Sequence, residues 1–213
     1  MPSDLLIDRL VDGLRPTRRP ATLRQGAVLL ALAGVELAGF LSLGTLRPDI
    51  ATAAGLSVFW WKMGGLASLA LAATTVALRS FDPLSSPRSE LRRWMAVLAG
   101  VFVLGWVLDA GSQPGLGLGA RLMWQMGIEC LTVMTILSTP LVLALLLMMR
   151  RGAPTDLGAS ATAAGAAAAT AGAFIFAFHC PSDDPFYIVF WYTLGCGAIT
   201  MLSRALLPRL ARW

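Results

Sequence analysis

Residues 122–149 read LMWQMGIECLTVMTILSTPLVLALLLMM, a run with one charged residue, Glu129, that stops on Arg150-Arg151. The hydrocarbon core of a bilayer is roughly 30 Å thick, and about 20 apolar helical residues cross it. This run is long enough to span, and the arginine pair marks one of its ends. Five similar stretches flank it, at residues 26–46, 56–78 and 94–108 on one side and 157–178 and 186–207 on the other. The expected fold class is therefore all-α: a polytopic membrane protein built as a six-transmembrane-helix bundle. Residues 26–213 form that bundle, and residues 1–25 are a cytoplasmic segment carrying a short N-terminal amphipathic helix.

Composition agrees. The chain is 56% hydrophobic and 14% charged, whereas soluble domains carry roughly 25% charged residues. A soluble core could hide one such helix, but not six in series. The net charge of +5 does not mark a nucleic-acid binder, because the basic residues are not gathered on one face. Of the 17 basic residues, 14 fall before span one, between spans two and three, between four and five, or after six. They are Arg9, Arg15, Arg18, Arg19 and Arg24; Arg79, Arg88, Arg92 and Arg93; Arg150 and Arg151; Arg204, Arg209 and Arg212. Short basic loops stay on the cytoplasmic side. Both termini are accordingly expected in the cytoplasm, with a multi-pass chain in the membrane. Arg47, Lys62 and Arg121 are the three exceptions. The opening Met1-Pro2-Ser3-Asp4 carries an acid and no small-residue cleavage site follows, so span one is expected to remain as an anchor.

Ahead of the membrane, residues 3–14 have helical periodicity. Ile7, Leu10, Val11 and Leu14 form one apolar stripe, and Asp4, Asp8 and Asp12 carry its acids. The stripe suits either a helix on the membrane surface or a docking site for a cytoplasmic partner.

Within the spans, Glu36 is an intramembrane carboxylate expected to bond a neighbouring helix. Phe59-Trp60-Trp61-Lys62 reads as an interfacial belt with a snorkelling lysine. Residues 79–93 read as a turn-rich loop. Gln125, Glu129, Thr132 and Thr139 recur at helical spacing, a polar stripe expected to face other helices. Pro140 is expected to kink or loosen that helix. Span five is largely alanine, glycine and threonine, the composition of a central packing helix.

Several rarer features occur in order. Arg150-Arg151-Gly152-Ala153-Pro154-Thr155 precedes the small-residue span. Phe178-His179-Cys180-Pro181-Ser182-Asp183-Asp184-Pro185 follows it, then Phe190-Trp191-Tyr192-Thr193-Leu194-Gly195 and a closing Leu207-Pro208-Arg209-Leu210-Ala211-Arg212-Trp213. With Asp4-Leu5-Leu6-Ile7-Asp8 and Leu14-Arg15-Pro16 at the start, the chain resembles the NrsF family along essentially its whole length. The resemblance implies a six-span anti-sigma factor of the bacterial inner membrane that holds an extracytoplasmic-function (ECF) sigma factor on its cytoplasmic side. It further implies release on heavy-metal or oxidative stress, with Cys130 and Cys180 as the responsive groups. Asp4, Ile7, Asp8, Leu10, Val11, Asp12 and Leu14 are then the sigma-binding candidates. Cys196 departs from the family pattern and reads as a small buried hydrophobe.

The residues add their own reading of the signal site. The arginine pattern puts Cys180 in an external loop and Cys130 in the external half of span four, a compartment where disulfides persist. His179, Cys180, Asp183 and Asp184, with Glu129 and Cys130 if span four lies alongside, offer donors for a transient heavy-metal ion of the soft kind. No paired CxxC spacing supports a resident metal cofactor. A reversible disulfide is the competing chemistry.

A small transporter or a membrane thiol oxidoreductase is the alternative class. The chain shows no inverted repeat or pair of broken helices for the first. It shows no catalytic triad, phosphate loop or carboxylate dyad for an enzyme of another kind. Apart from sigma factor and lipid, no partner is expected, and no direct contact with nucleic acid.

Overall fold

The computed structural model describes residues 22–83, 87–110 and 117–211. The described residues form eight helices and no strand: α1 (Thr22–Ser42), α2 (Ile50–Ala53), α3 (Ser57–Ser80), α4 (Pro87–Ala110), α5 (Leu118–Arg121), α6 (Trp124–Arg151), α7 (Leu157–Ala177) and α8 (Pro185–Leu210). Six of them, α1, α3, α4, α6, α7 and α8, are long and apolar enough to cross a membrane. The all-α six-span expectation is borne out. The N-terminal stripe from Asp4 to Leu14 lies outside the described residues.

The small-residue helix α7 is the axis of the bundle. Between Ala159 and Ala177 nearly every side chain is buried, and α7 packs most extensively against α3, α8 and α6. The reason is steric. A Cβ on Gly165 would come within 2.6 Å of Ser203 on α8, and one on Gly172 within 2.3 Å of Ser138 on α6. Backbones approach this closely only where side chains are absent, and in lipid such contact is a main source of helix association. Asp156 caps α7 by accepting from the Ala159 amide at 2.9 Å.

Around this axis α1 and α4 are peripheral. α1 touches α3, α6 and α7 through a narrow seam anchored by Leu29. α4 leans on α3 and α8. Two indole hydrogen bonds join α3 and α4: Trp61 Nε1 to the Val101 carbonyl (3.0 Å) and Trp94 Nε1 to the Leu69 carbonyl (3.3 Å).

Several boundaries and faces differ from the sequence expectation. α1 ends at Ser42 rather than residue 46, because Gly44 adopts φ +73°, the left-handed conformation that stops helices. The third span begins at Pro87, so the supposed loop at 79–93 is partly helix. Pro suits the first helical position, and Glu90 in the first turn bonds Arg93 at 2.9 Å and Arg79 at 3.5 Å. Pro140 sits inside an uninterrupted α6. The polar stripe of α6 faces outward: Gln125, Glu129, Thr132 and Thr139 are all exposed. The threonines need no partner helix, since Thr132 and Thr139 donate to the carbonyls of Ile128 and Thr135 on their own helix. The buried face is Gly127, Cys130, Met134, Ser138, Leu141 and Leu145. Glu36 is also without the expected bond, its Oε2 buried and unpartnered.

Candidate functional site

The antiparallel helices give the bundle two ends, one where α7 runs into α8 and one where α6 runs into α7. The first end carries the three basic residues that break the arginine pattern. Each has found acid or carbonyl oxygen. Arg47, with a side chain only 1% exposed, is bidentate to Asp49 (2.8 and 2.8 Å) and to Asp183 (2.9 and 2.7 Å). Its Nη1 also donates to the Cys180 carbonyl at 3.4 Å. Lys62, fully buried, donates to the carbonyls of Cys180 (3.3 Å) and Ser182 (3.1 Å) and lies 3.5 Å from Asp183. Arg121 joins Asp109 at the end of α4 to Asp184, the N-cap of α8, and stacks over Phe186 at 5.1 Å.

These contacts explain why 178–184 folds as it does. The segment has no strand or helix partner, so its carbonyls are satisfied by cations from α3 and from the α1–α2 turn. The Arg47 amide completes the clamp by donating to the Phe178 carbonyl at 3.1 Å. Lys62 does not snorkel; it turns inward because Asp183 and two carbonyls await it there. An ion pair this buried holds only when its remaining hydrogen bonds are made, and here they are.

Charge states follow the geometry. Hydrogen bonds to Asp49 and Asp183 raise the Arg47 guanidinium above its ordinary range. Arg47 in turn holds the exposed Asp49 carboxyl at about 2. Partial burial pushes the Asp184 carboxyl up, but the Arg121 hydrogen bond and charge pull harder, and its value is lowered. Arg121 is raised by Asp184 and Asp109. Because Asp49 is depressed, its contribution is complete above the unfolded value of about 3.9 and is lost as pH falls through about 2. The Asp49→Asn variant should therefore melt below the parent by a constant interval above pH 5, with the interval closing toward pH 2. Thermal unfolding across that range checks it.

Under the clamp lie both candidate thiols. Cys130 on α6 and Cys180 are fully buried, unoxidised, and part of one apolar cluster with Met134, Phe176, Tyr187, Trp191 and Tyr192. The Cys130 Sγ lies 3.7 Å from the Met134 sulfur. Cys196 is half-buried further along α8.

The six candidate metal ligands are not gathered. Asp183 is committed to Arg47 and Lys62, and Asp184 to Arg121. His179 is exposed, with Nδ1 2.5 Å from the Thr45 carbonyl and its ring against Phe40 and Phe176. Glu129 is exposed on α6, away from the buried face that carries Cys130. Among the described residues no set of three or more His, Cys, Asp or Glu side chains could hold a metal ion. What remains of the set is the thiol pair. Sequence reasoning missed Arg47, Lys62 and Arg121 as part of this site. The available signal was their exception to the arginine pattern, together with two consecutive acids, Asp183 and Asp184, that have no Lys or Arg near them in sequence.

The opposite end is basic. Arg150 caps the last turn of α8 by donating to the Leu210 carbonyl (3.0 and 2.5 Å), and Arg204 donates to Thr162 at 3.0 Å.

Comparison with known proteins places this architecture. The chain is 29% identical to the anti-sigma-F factor NrsF of Caulobacter vibrioides over 221 aligned residues, covering all of both chains. It is 28% identical to the probable anti-sigma-F factor NrsF of Azospira oryzae over 206, covering 92% of each. No solved structure matches it. The family described as negative regulator of sigma F matches residues 10–213. By that match over nearly its full length, the chain belongs to the NrsF family.

Proposed function

We propose that this protein is an anti-sigma factor of the bacterial inner membrane, with both termini in the cytoplasm. The apolar stripe of residues 1–25 holds an ECF sigma factor away from RNA polymerase. Thiophilic metal ions or oxidants reaching Cys130 and Cys180 from the periplasm release it. The family match across residues 10–213 carries the reading, since the relatives are named anti-sigma-F factors. The two buried thiols beneath a charge-clamped loop support the sensing half. Sulfur is a soft, oxidisable donor, so the stimulus is a thiophilic metal ion or an oxidant that reacts with it. Reaction requires the thiolate or an exposed thiol, and burial keeps both groups protected, Cys180 within the clamped 178–184 loop and Cys130 in the same apolar cluster, until that loop opens.

In a sigma-dependent reporter strain, Cys130→Ser or Cys180→Ser should abolish induction by cadmium or peroxide while basal repression persists. Cys196→Ser should respond like the parent. Full induction in both single variants would refute thiol sensing. On the cytoplasmic side, Leu10→Asp in the full-length protein should weaken sigma capture by on the order of tenfold or more, as loss of an apolar anchor does. Affinity measurement in detergent reads this directly, and unchanged binding would move the interface elsewhere.

A further inference from the structure

The 178–184 loop is bound to α1, a span that it does not adjoin in sequence. The Arg47 amide and guanidinium hold the Phe178 carbonyl, the Cys180 carbonyl and Asp183. The Thr45 carbonyl meets His179 Nδ1 at 2.5 Å, and Phe40 packs edge-on to the His179 ring at 5.9 Å. The turn that carries Thr45 and Arg47 is itself folded back onto α1. The Thr45 hydroxyl donates to the Phe40 carbonyl at 2.5 Å, and the Gly44 amide to the Leu41 carbonyl at 3.0 Å. Elsewhere α1 is held weakly. Leu29 is its only buried residue, and among the described residues no side-chain hydrogen bond joins residues 22–42 to another span. On the Leu29 face, at helical spacing, Gln25 and Glu36 each bury an oxygen that has no partner. Such groups cost free energy in a bilayer, so the seated position of α1 is opposed at two of its own contacts. The helices that adjoin the loop in sequence are fixed by comparison. Gly165 and Gly172 bring α7 against Ser203 of α8 and Ser138 of α6, and Trp191 of α8 donates to the Leu122 carbonyl at 2.7 Å.

We infer that the 178–184 loop is a latch on α1, and that α1 is the span that carries the signal across the membrane. When the loop opens, Arg47 and Thr45 lose their partners. The seam around Leu29 does not hold α1 alone, and the helix shifts against the other five spans toward a position where Gln25 and Glu36 find partners. Its far end continues into the N-terminal segment, so the displacement arrives at the apolar stripe. That last step rests on the proposed function, with Cys180 as sensor and the stripe as sigma contact; the movement of α1 does not.

Pulsed electron paramagnetic resonance on the full-length protein in detergent tests that movement, with Cys130, Cys180 and Cys196 replaced by serine. One spin-label pair reports on α1, Leu23→Cys with Leu202→Cys of α8. A second, Leu147→Cys of α6 with Leu202→Cys, reports on the fixed core; all three positions are exposed. The latch is broken from either side, by Arg47→Ala or by Asp183→Asn. In both variants the first distance should shift by on the order of 2–5 Å, the scale of helix translations in switching proteins. The second should stay at its parent value, which also shows that the bundle remains folded. A first distance that is unchanged in both variants, or two distances that change together, overturns the inference. The measurement uses neither thiol chemistry nor sigma factor, so its outcome is independent of the Cys130 and Cys180 reporter test. Glu36→Leu then tests the seam, because it removes the orphaned carboxylate and seats α1 more firmly. In the reporter strain it should raise the cadmium concentration for half-maximal induction about 5- to 10-fold, the worth of relieving one unsatisfied buried group. An unchanged or lower concentration would overturn the part given to the seam.

Discussion

Arg47→Ala should lower stability by about 3 kcal/mol, since removing one partner of a buried pair leaves the other charge uncompensated. For a chain of this size that is a fall on the order of 10 °C in the unfolding midpoint. Asp183 would keep only Lys62, at 3.5 Å, and the Cys180 carbonyl would lose one of its two donors. Replacing both partners with apolar residues of similar volume, Arg47→Met with Asp183→Leu, should cost less than the sum of the single changes, because the Arg47–Asp183 pair is lost only once, although Lys62 then keeps only its carbonyl partners. A double-mutant cycle in detergent measures this coupling. The loss should also appear at sulfur. With the clamp weakened, Cys180 should react with a thiol reagent faster than in the parent, at a temperature where both remain folded. Additive effects and unchanged thiol reactivity would make the ion pairs incidental to the loop.

Gly127→Val is the second large effect. A Cβ at Gly127 would lie 2.0 Å from the Trp191 ring, and that ring has nowhere to go. It is 1% exposed, its Nε1 donates to the Leu122 carbonyl at 2.7 Å, and Trp124 and Phe190 pack edge-on against it at 5.3 and 5.2 Å. Overpacking of this kind costs about 1–3 kcal/mol and occasionally more, and this site belongs at the upper end. Gly34→Ala provides the contrast, because a Cβ there meets nothing within 4 Å and alanine is the better helix former. It should be neutral or mildly stabilising. Comparison of unfolding midpoints for the two variants checks both. A harmless Gly127→Val would mean that α6 and α8 do not approach as described.

The six spans were legible because apolar length and arginine spacing are local properties that no tertiary contact can override in a bilayer. The packing role of α7 was legible for the same reason, its small residues being useful only for close approach. The misreadings at the thiol end concern partners distant in sequence, and those of the α6 stripe a local one. Lys62 beside three aromatic residues looks interfacial until Asp183, 121 positions later (183 less 62), supplies its counter-charge. The threonines of α6 look like a helix-facing stripe unless their own carbonyls are counted as acceptors. Asp183 and Asp184 look like free ligands beside His179 and Cys180, and only the fold reveals two arginines already there. Charge pairing across the bundle, rather than residue type, decides which donors are available at the thiol end.

Sidedness tests the whole account most directly: the thiol end must face the periplasm and the basic end the cytoplasm. Single cysteines at two exposed positions, Leu46→Cys at the thiol end and Thr155→Cys at the basic end, would be introduced with Cys130, Cys180 and Cys196 replaced by serine. A membrane-impermeant maleimide applied to intact cells should label the first and spare the second until the inner membrane is permeabilised. Labelling of Thr155→Cys in intact cells, with Leu46→Cys protected, would invert the protein and leave the segment proposed to bind sigma factor on the wrong side of the membrane.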